Sequence, residues 1–271
     1  MTGSILTAVS TLPIWRLNDR NGICMSVMSD LRILYHLALR PNRGRNHAQR
    51  MENFYAGQAS DYDAFRRRLL HGRQELWSRI SLAEQGLVWV DMGGGTGSNL
   101  ENFGNQISNL SRIYVVDLAS SLLDVARQRV ADAGWANVEV VEADATTFCP
   151  AEGYADVVTF SYSLTMIPDW VQALDNVRRI LRPNGQIGVV DFYVSRKHVP
   201  EGRVRHGWVT RYGWPAWFGS DNVFLSPDHV PRLMEQFEPV YFAERRARIP
   251  YLPLFRAPYY LFVGRQKNSR E

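Results

Sequence analysis

The segment Val88-Trp89-Val90-Asp91-Met92, followed by Gly93-Gly94-Gly95-Thr96-Gly97, constrains this chain more than any other. Its apolar run reads as a buried strand, and the glycines behind it let the backbone turn sharply and approach a ligand closely. A strand apolar on both faces belongs in a parallel sheet covered by helices on both sides. The pattern then repeats. Strand-like runs at Arg112 to Asp117, Val138 to Ala143, Asp156 to Phe160 and Gln186 to Phe192 alternate with helical spacing. Leu118 to Asp132 places Leu122, Val125, Ala126 and Val130 on one face, and Trp170 to Leu181 repeats this before Pro183-Asn184-Gly185 stops it. The spacing predicts an α/β fold of right-handed crossover units.

The flanks are less regular. After Val194 comes a Pro- and aromatic-rich stretch, then a helix beginning at Ser226-Pro227-Asp228 and strands near Pro239 to Ala243 and Ala257 to Gly264. Ahead of the sheet, Ser60-Asp61-Tyr62-Asp63 resembles a capping box, and Tyr62, Phe65, Leu69, Leu76 and Ile80 follow helical periodicity. Further upstream, Ser29 to Arg40 reads as a short helix with Arg32, His36 and Arg40 on one stripe, suited to a membrane interface or to capping the sheet. Residues 1 to 24 show no periodicity, and Met25 or Met28 are alternative starts.

Composition narrows the function classes. With 45% hydrophobic and 21% charged residues the chain is globular rather than disordered. No run approaches the roughly 20 apolar residues of a spanning helix, and Ile5 to Trp15 has no basic segment ahead of it, so a cytosolic location is expected. Cys24 and Cys149 form no CxxC pair and read as reduced. Lys plus Arg against Asp plus Glu run 12 to 6 over residues 1 to 80, 6 to 14 over 81 to 195, and 13 to 7 over 196 to 271. Basic flanks around an acidic centre make anionic partners plausible, lipid headgroups or nucleic acid, beside the plainer reading of a solvated arginine-rich surface.

The dinucleotide pattern G-x-G-x-x-G needs glycine at position 98 or 100, where Ser98 and Leu100 stand. Asp91-x-Gly93-x-Gly95-x-Gly97 instead resembles the first motif of class I methyltransferases that use S-adenosylmethionine. That resemblance implies a Rossmann-like sheet of seven strands, mostly parallel, with helices on both faces. Asp117 closes the second strand and can accept both ribose hydroxyls, with Leu118 beside it. By resemblance, Asp144 and Ala145 meet the adenine amino group, and Asp91 with the Gly93 to Gly97 loop holds the methionine end. Phe160, Ser161 and Tyr162 line the transfer pocket. Carboxylates at such positions also cap the following helix, a reading with most force at Asp144.

Longer segments resemble one branch, the N-methyltransferases of betaine-lipid synthesis (BtaB type), which methylate the amine of diacylglycerylhomoserine. They include Phe54 to Gln58, Tyr62 to Arg66, Leu70 to Arg73, Phe160 to Trp170, Val189 to His198, Trp214 to Phe218, Asp221 to His229 and Tyr251 to Leu254. The resemblance implies that Tyr55 and Tyr62 close over the methionine end of the cofactor. It also implies a membrane-bound lipid substrate at the inner membrane face, with the 3-amino-3-carboxypropyl transferase as a candidate partner. The implied organisation is an extension over residues 1–28, cofactor-closing helices over 29–82, and a methyltransferase domain over 83–267 with an aromatic and arginine-rich insertion near 195–225.

Methyl transfer is an in-line displacement at a sulfonium, so the protein chiefly aligns donor and acceptor and excludes water; no metal is required. An amine acceptor must first lose its proton, and Tyr162, Tyr193 and His71 are candidates for taking it. The product is a quaternary ammonium, which aromatic faces attract. Of 32 aromatic residues, 16 lie between Phe192 and Phe262, interleaved with Arg203, Arg205 and Arg211. Competing readings are a quinone-precursor or phosphatidylethanolamine acceptor and a non-catalytic subunit of the lipid synthase. Nucleic acid is not expected, because Phe160-Ser161-Tyr162-Ser163 lacks the Asn/Asp-Pro-Pro-Tyr/Phe signature of many base N-methylating enzymes.

Overall fold

The computed structural model describes residues 69–82, 84–219, 223–249 and 252–267. The expectations for residues 1–28, for Ser29 to Arg40, and for Tyr55 and Tyr62 lie outside these residues.

The first described helix, α1 (Arg73–Arg79), leads into β1 (Val88–Met92), β2 (Arg112–Asp117), α2 (Ser120–Ala133), β3 (Val138–Glu142), β4 (Ala155–Ser161), α3 (Trp170–Ile180) and β5 (Leu181–Phe192). Helices α4 (Trp208–Gly219) and α5 (His229–Gln236) and a hairpin of β6 (Phe237–Ile249) and β7 (Leu252–Gln266) complete it. The strands form one sheet in the order β3-β2-β1-β4-β5-β7-β6. The first five pair in parallel, and β7 runs antiparallel to both β5 and β6. This is the seven-stranded, mostly parallel fold that the sequence predicts.

Alternation along each strand divides the core. Trp89, Ile113, Val115, Val157, Val190 and Leu261 face α1, α2 and α4, whereas Val90, Val116, Val158, Val189 and Phe262 face α3 and α5. Trp77 of α1 packs edge-on against Trp89 and Phe103, with ring centroids 5.6 and 5.0 Å away. Outside this cluster, Arg79 lies 4.4 Å over the Tyr241 ring, and Glu75 takes the Tyr241 hydroxyl and pairs with Arg245 at 3.3 Å. The helix preceding the sheet is thus tied to its far edge as well as to its centre.

The elements depart from the predicted boundaries in four places. Pro183-Asn184-Gly185 does more than stop α3: pairing jumps from Ala155–Leu181 to Val157–Gln186, so these residues form a bulge, with Asn184 at φ 64°. The Ser226 hydroxyl accepts the Asp228 N–H at 3.1 Å, but α5 starts only at His229. The aromatic stretch contains a 12-residue helix, α4, despite Pro215 inside it. The terminal strands run to 13 and 15 residues, because the hairpin continues to Ile249–Leu252, past the apolar runs visible in the sequence.

Trp77→Ala is expected to cost about 3–5 kcal/mol, the range for emptying a buried aromatic site. Urea unfolding measures it, and a loss below about 1 kcal/mol would show that α1 is not part of the cooperative core.

Candidate functional site

The parallel strands bring the carboxyl ends of β1, β2, β3 and β4 to one side, and the loops that follow them build the site. Asp91 is fully buried at the end of β1. Its Oδ1 accepts the Thr159 hydroxyl at 2.7 Å, and Thr159 in turn accepts the Trp89 indole N–H at 2.9 Å. Its Oδ2 accepts the Asn99 amide at 2.7 Å, and the Asn99 carbonyl accepts Arg73 Nε–H at 3.1 Å. Arg73 also donates to the Ser98 hydroxyl at 3.1 Å. Burial pushes the Asp91 carboxyl from the ordinary 3.8 up to about 6, while Asn99 and Thr159 act to lower it.

The glycine loop is held by backbone bonds. Gly93 and Gly94 N–H groups both donate to the Val116 carbonyl, at 2.7 and 3.0 Å. Gly93 has φ +67°, and a Cβ there would lie 2.3 Å from Ser163 Cβ; one at Gly94 would lie 2.8 Å from Val115 Cγ1. Both positions therefore exclude side chains for steric reasons. The Gly95 N–H donates to Asp117 Oδ2 at 2.9 Å, and Asp117 Oδ1 accepts the Ala119 N–H at 3.0 Å.

Asp144 follows β3 and closes a short turn, where its Oδ1 accepts both the N–H and the hydroxyl of Thr146, at 2.8 and 2.7 Å. The sequence alternative is a cap on a following helix; the carboxylate instead closes a local turn, and β4 is the next element. Ala145 is buried, and Asn176 of α3 holds the loop by donating to the Ala145 and Phe148 carbonyls, both at 2.9 Å. Leu118 is half-buried beside Asp117. Ser161 is buried at the end of β4, and its hydroxyl has no hydrogen-bond partner among the described residues. A glycine loop packed too closely for a Cβ at Gly93 or Gly94, a buried Ser161 hydroxyl with no partner among the described residues, and carboxylates at two strand ends suit a nucleoside carrying a charged amino-acid arm.

The three candidate proton acceptors separate. Tyr162, at φ 56°, is buried and donates its hydroxyl to the His71 carbonyl at 2.7 Å; burial holds its pKa well above 10. Tyr193 lies against the opposite face of the sheet, donates to Glu244 at 2.6 Å, and is likewise pushed up by burial and then by that bond. Both phenols are hydrogen-bond donors here, Tyr162 to a backbone carbonyl and Tyr193 to a carboxylate. His71 sits in the turn before α1, its side chain exposed and its carbonyl holding Tyr162. Sequence reasoning missed Arg73, Asn99, Thr159 and Asn176, whose roles depend on contacts up to 70 residues apart.

Gly93→Ala should weaken cofactor binding by more than about tenfold, since the loop must move to admit the methyl group. Asp117→Ala should do so on the same scale by removing charge-assisted acceptors, and unchanged binding in a calorimetric titration would remove that residue from the site. Asp91 is a carboxyl whose pKa is raised on folding, so its ionisation opposes the fold and stability falls as pH rises from about 4 to about 6. Asp91→Asn should remove its share of that decline in urea midpoints, leaving the share of Asp191, which titrates near 7.

Comparison with known proteins agrees with this architecture. The model of the ubiE/COQ5 methyltransferase family matches residues 44–206. A ubiquinone/menaquinone biosynthesis C-methyltransferase from Pseudomonas savastanoi is 29% identical over 150 residues, covering 54% of this chain and 59% of the relative; the chain thus spans a little over half the length of that protein. Among solved structures, a Haemonchus contortus phosphoethanolamine N-methyltransferase 2, in complex with phosphomonomethylethanolamine and S-adenosylhomocysteine, superposes with TM-score 0.62 at 12% identity, over 83% of this chain and 61% of that one. The N-methyltransferase NodS of Bradyrhizobium japonicum gives 0.51 at 17% identity, over 77% and 99%. With its glycine loop, its strand-end acids and a family match over more than half its length, the chain belongs to the ubiE/COQ5 methyltransferase family, within the class I S-adenosylmethionine-dependent methyltransferases.

Proposed function

We propose that this protein transfers methyl groups from S-adenosylmethionine to the amine of a lipid headgroup, with diacylglycerylhomoserine as acceptor and a trimethylated betaine lipid as product. The observation that carries this reading is a row of aromatic rings running outward from the strand ends. Tyr162 and Phe192 are 4.7 Å apart between centroids, Phe192 and Phe218 are stacked at 4.9 Å, and Phe218 and Trp214 are 5.6 Å apart. Trp214 then meets Trp217 at 6.3 Å and Phe255 at 6.5 Å, and these last two are exposed. Each methylation makes the amine less able to donate hydrogen bonds, and the final ammonium donates none. Aromatic faces still attract it.

The betaine-lipid resemblance supports an amine acceptor, and the Haemonchus enzyme of similar fold is named for an ethanolamine nitrogen. The outward side of α4 adds a surface suited to lipid: Trp208, Val209 and Tyr212 are exposed, with Arg205 exposed just before the helix. Indole and phenol rings favour the bilayer interface, and arginines favour anionic headgroups. No helix among the described residues is long and apolar enough to cross a membrane.

When bound, S-adenosylmethionine supplies an electrophilic methyl group. The proposed work of the chain is positional. Asp117 takes the ribose hydroxyls, the loop carrying Asp144 and Ala145 meets the adenine, and the Gly93 to Gly97 loop over Asp91 receives the methionine end together with Ser161. Phe192 and Phe218 hold the acceptor nitrogen and keep water from it. The departing proton passes to His71 or to solvent at the open end of the row. The curated relatives favour a second reading, C-methylation of a quinone precursor.

Mass spectrometry of lipids from cells making this protein with the synthase of diacylglycerylhomoserine decides between them. A gain of three methyl groups is expected; no mass shift on that lipid, with methylation of a quinone precursor instead, would replace the amine reading. Phe218→Ala should raise KM for lipid by about tenfold while leaving cofactor affinity within about twofold. Equal loss of both would reduce the row to packing.

A further inference from the structure

A cavity of about 410 Å³, within the size range of small-molecule sites, lies away from the glycine loop. It is lined by Tyr193, Val230 and Met234 on the α5 side of the sheet, opposite the face that carries Tyr162. Its walls are apolar where Val199, Pro227, Val230 and Met234 meet. Its mouth is built from the segment after β5, held by reciprocal bonds: the Ser195 N–H donates to His206 Nδ1 at 3.0 Å, and the His206 N–H donates to the Ser195 hydroxyl at 2.8 Å.

Charge distinguishes the site from a packing defect. Glu244 is occupied on both oxygens, by the Tyr193 hydroxyl at 2.6 Å and the Val204 N–H at 2.9 Å. Arg196 pairs with Asp228 at 2.6 Å. Arg203 has no carboxylate partner among the described residues: its guanidinium lies 3.8 Å over the Phe242 ring, and Nη1 is buried without a hydrogen bond. Arg203 lines the cavity, and a guanidinium stacked on a ring presents its planar fork of N–H donors edge-on, the arrangement that suits a carboxylate.

We propose that this cavity binds a single-chain amphiphile with a carboxylate head, the chain against Val230 and Met234 and the head on Arg203. The site is separate from the proposed methyl acceptor and does not depend on that assignment. Titration calorimetry of the purified protein with dodecanoate below its micellar concentration tests it. One molecule should bind per chain; Arg203→Gln should weaken binding by about tenfold or more, and Met234→Trp, which fills the cavity, should abolish it. Circular dichroism melting of each variant checks that the fold is kept. Absence of saturable binding by the wild-type protein overturns the proposal, as does equal affinity for dodecyltrimethylammonium. Binding unchanged in either variant overturns it as well, and these comparisons stand even if one variant fails to fold.

Discussion

The buried carboxylate of Asp91 joins three parts of the molecule that are distant in sequence. Thr159 reaches it from β4, Asn99 from the turn after the glycine loop, and Arg73 acts on Asn99 from the helix before the sheet. A charge without donors at that depth would be costly, and the full set of donors is what makes the position tenable. The donors in turn are held in place by the acid. Gly93 and Gly94 hang from Val116 and Gly95 from Asp117, and Ser163 and Val115 close the positions where a Cβ would go at Gly93 and Gly94. The ligand-facing backbone is thereby shaped before any ligand arrives, which lowers the ordering cost of binding.

A second buried acid does comparable work at the next strand ends. Asp191 of β5 accepts the Thr165 N–H at 3.0 Å, its hydroxyl at 2.7 Å and the Phe192 N–H at 2.8 Å, and so anchors the short 3₁₀ turn Leu164–Met166 over the sheet. Beside it the chain passes from Phe192 to Tyr193, and the two rings fall on opposite faces. On one face the ring joins the aromatic row leading out through Phe218; on the other it borders the cavity under Arg203. One stretch of strand therefore serves two surfaces with different chemistry, a consequence of the two-residue period of a strand.

Much of the sheet was legible because its strands are short apolar runs ended by acids and glycines. β1 and β2 begin and end where those patterns say, and α2 and α3 follow from their apolar spacing. Other elements were hidden for identifiable reasons. α4 carries Pro215 and an outward face of Trp208, Val209 and Tyr212, so neither propensity nor a polar–apolar stripe announces a helix. The outer part of the β6–β7 hairpin alternates with Glu244, Arg245 and Arg248, and pairing rather than apolar content extends it. Tyr162 and Tyr193 looked equivalent as phenols near strand ends; only their partners, a backbone carbonyl and a carboxylate, distinguish them.

The sequence by itself determined the parallel core, the position of the glycine loop and the acids at three strand ends, because hydrophobic period, backbone freedom and charge are local properties of the chain. The tertiary structure decided what those local properties cannot contain. It brought Arg73, Asn99 and Thr159 to Asp91, gave the two tyrosines different hydrogen-bond partners, lined the aromatic rings into a row, and left the Arg203 guanidinium without an ion pair among the described residues at the edge of a cavity. Each of these depends on which side chains meet across long sequence separations, and that is settled only when the strands are ordered and their faces covered.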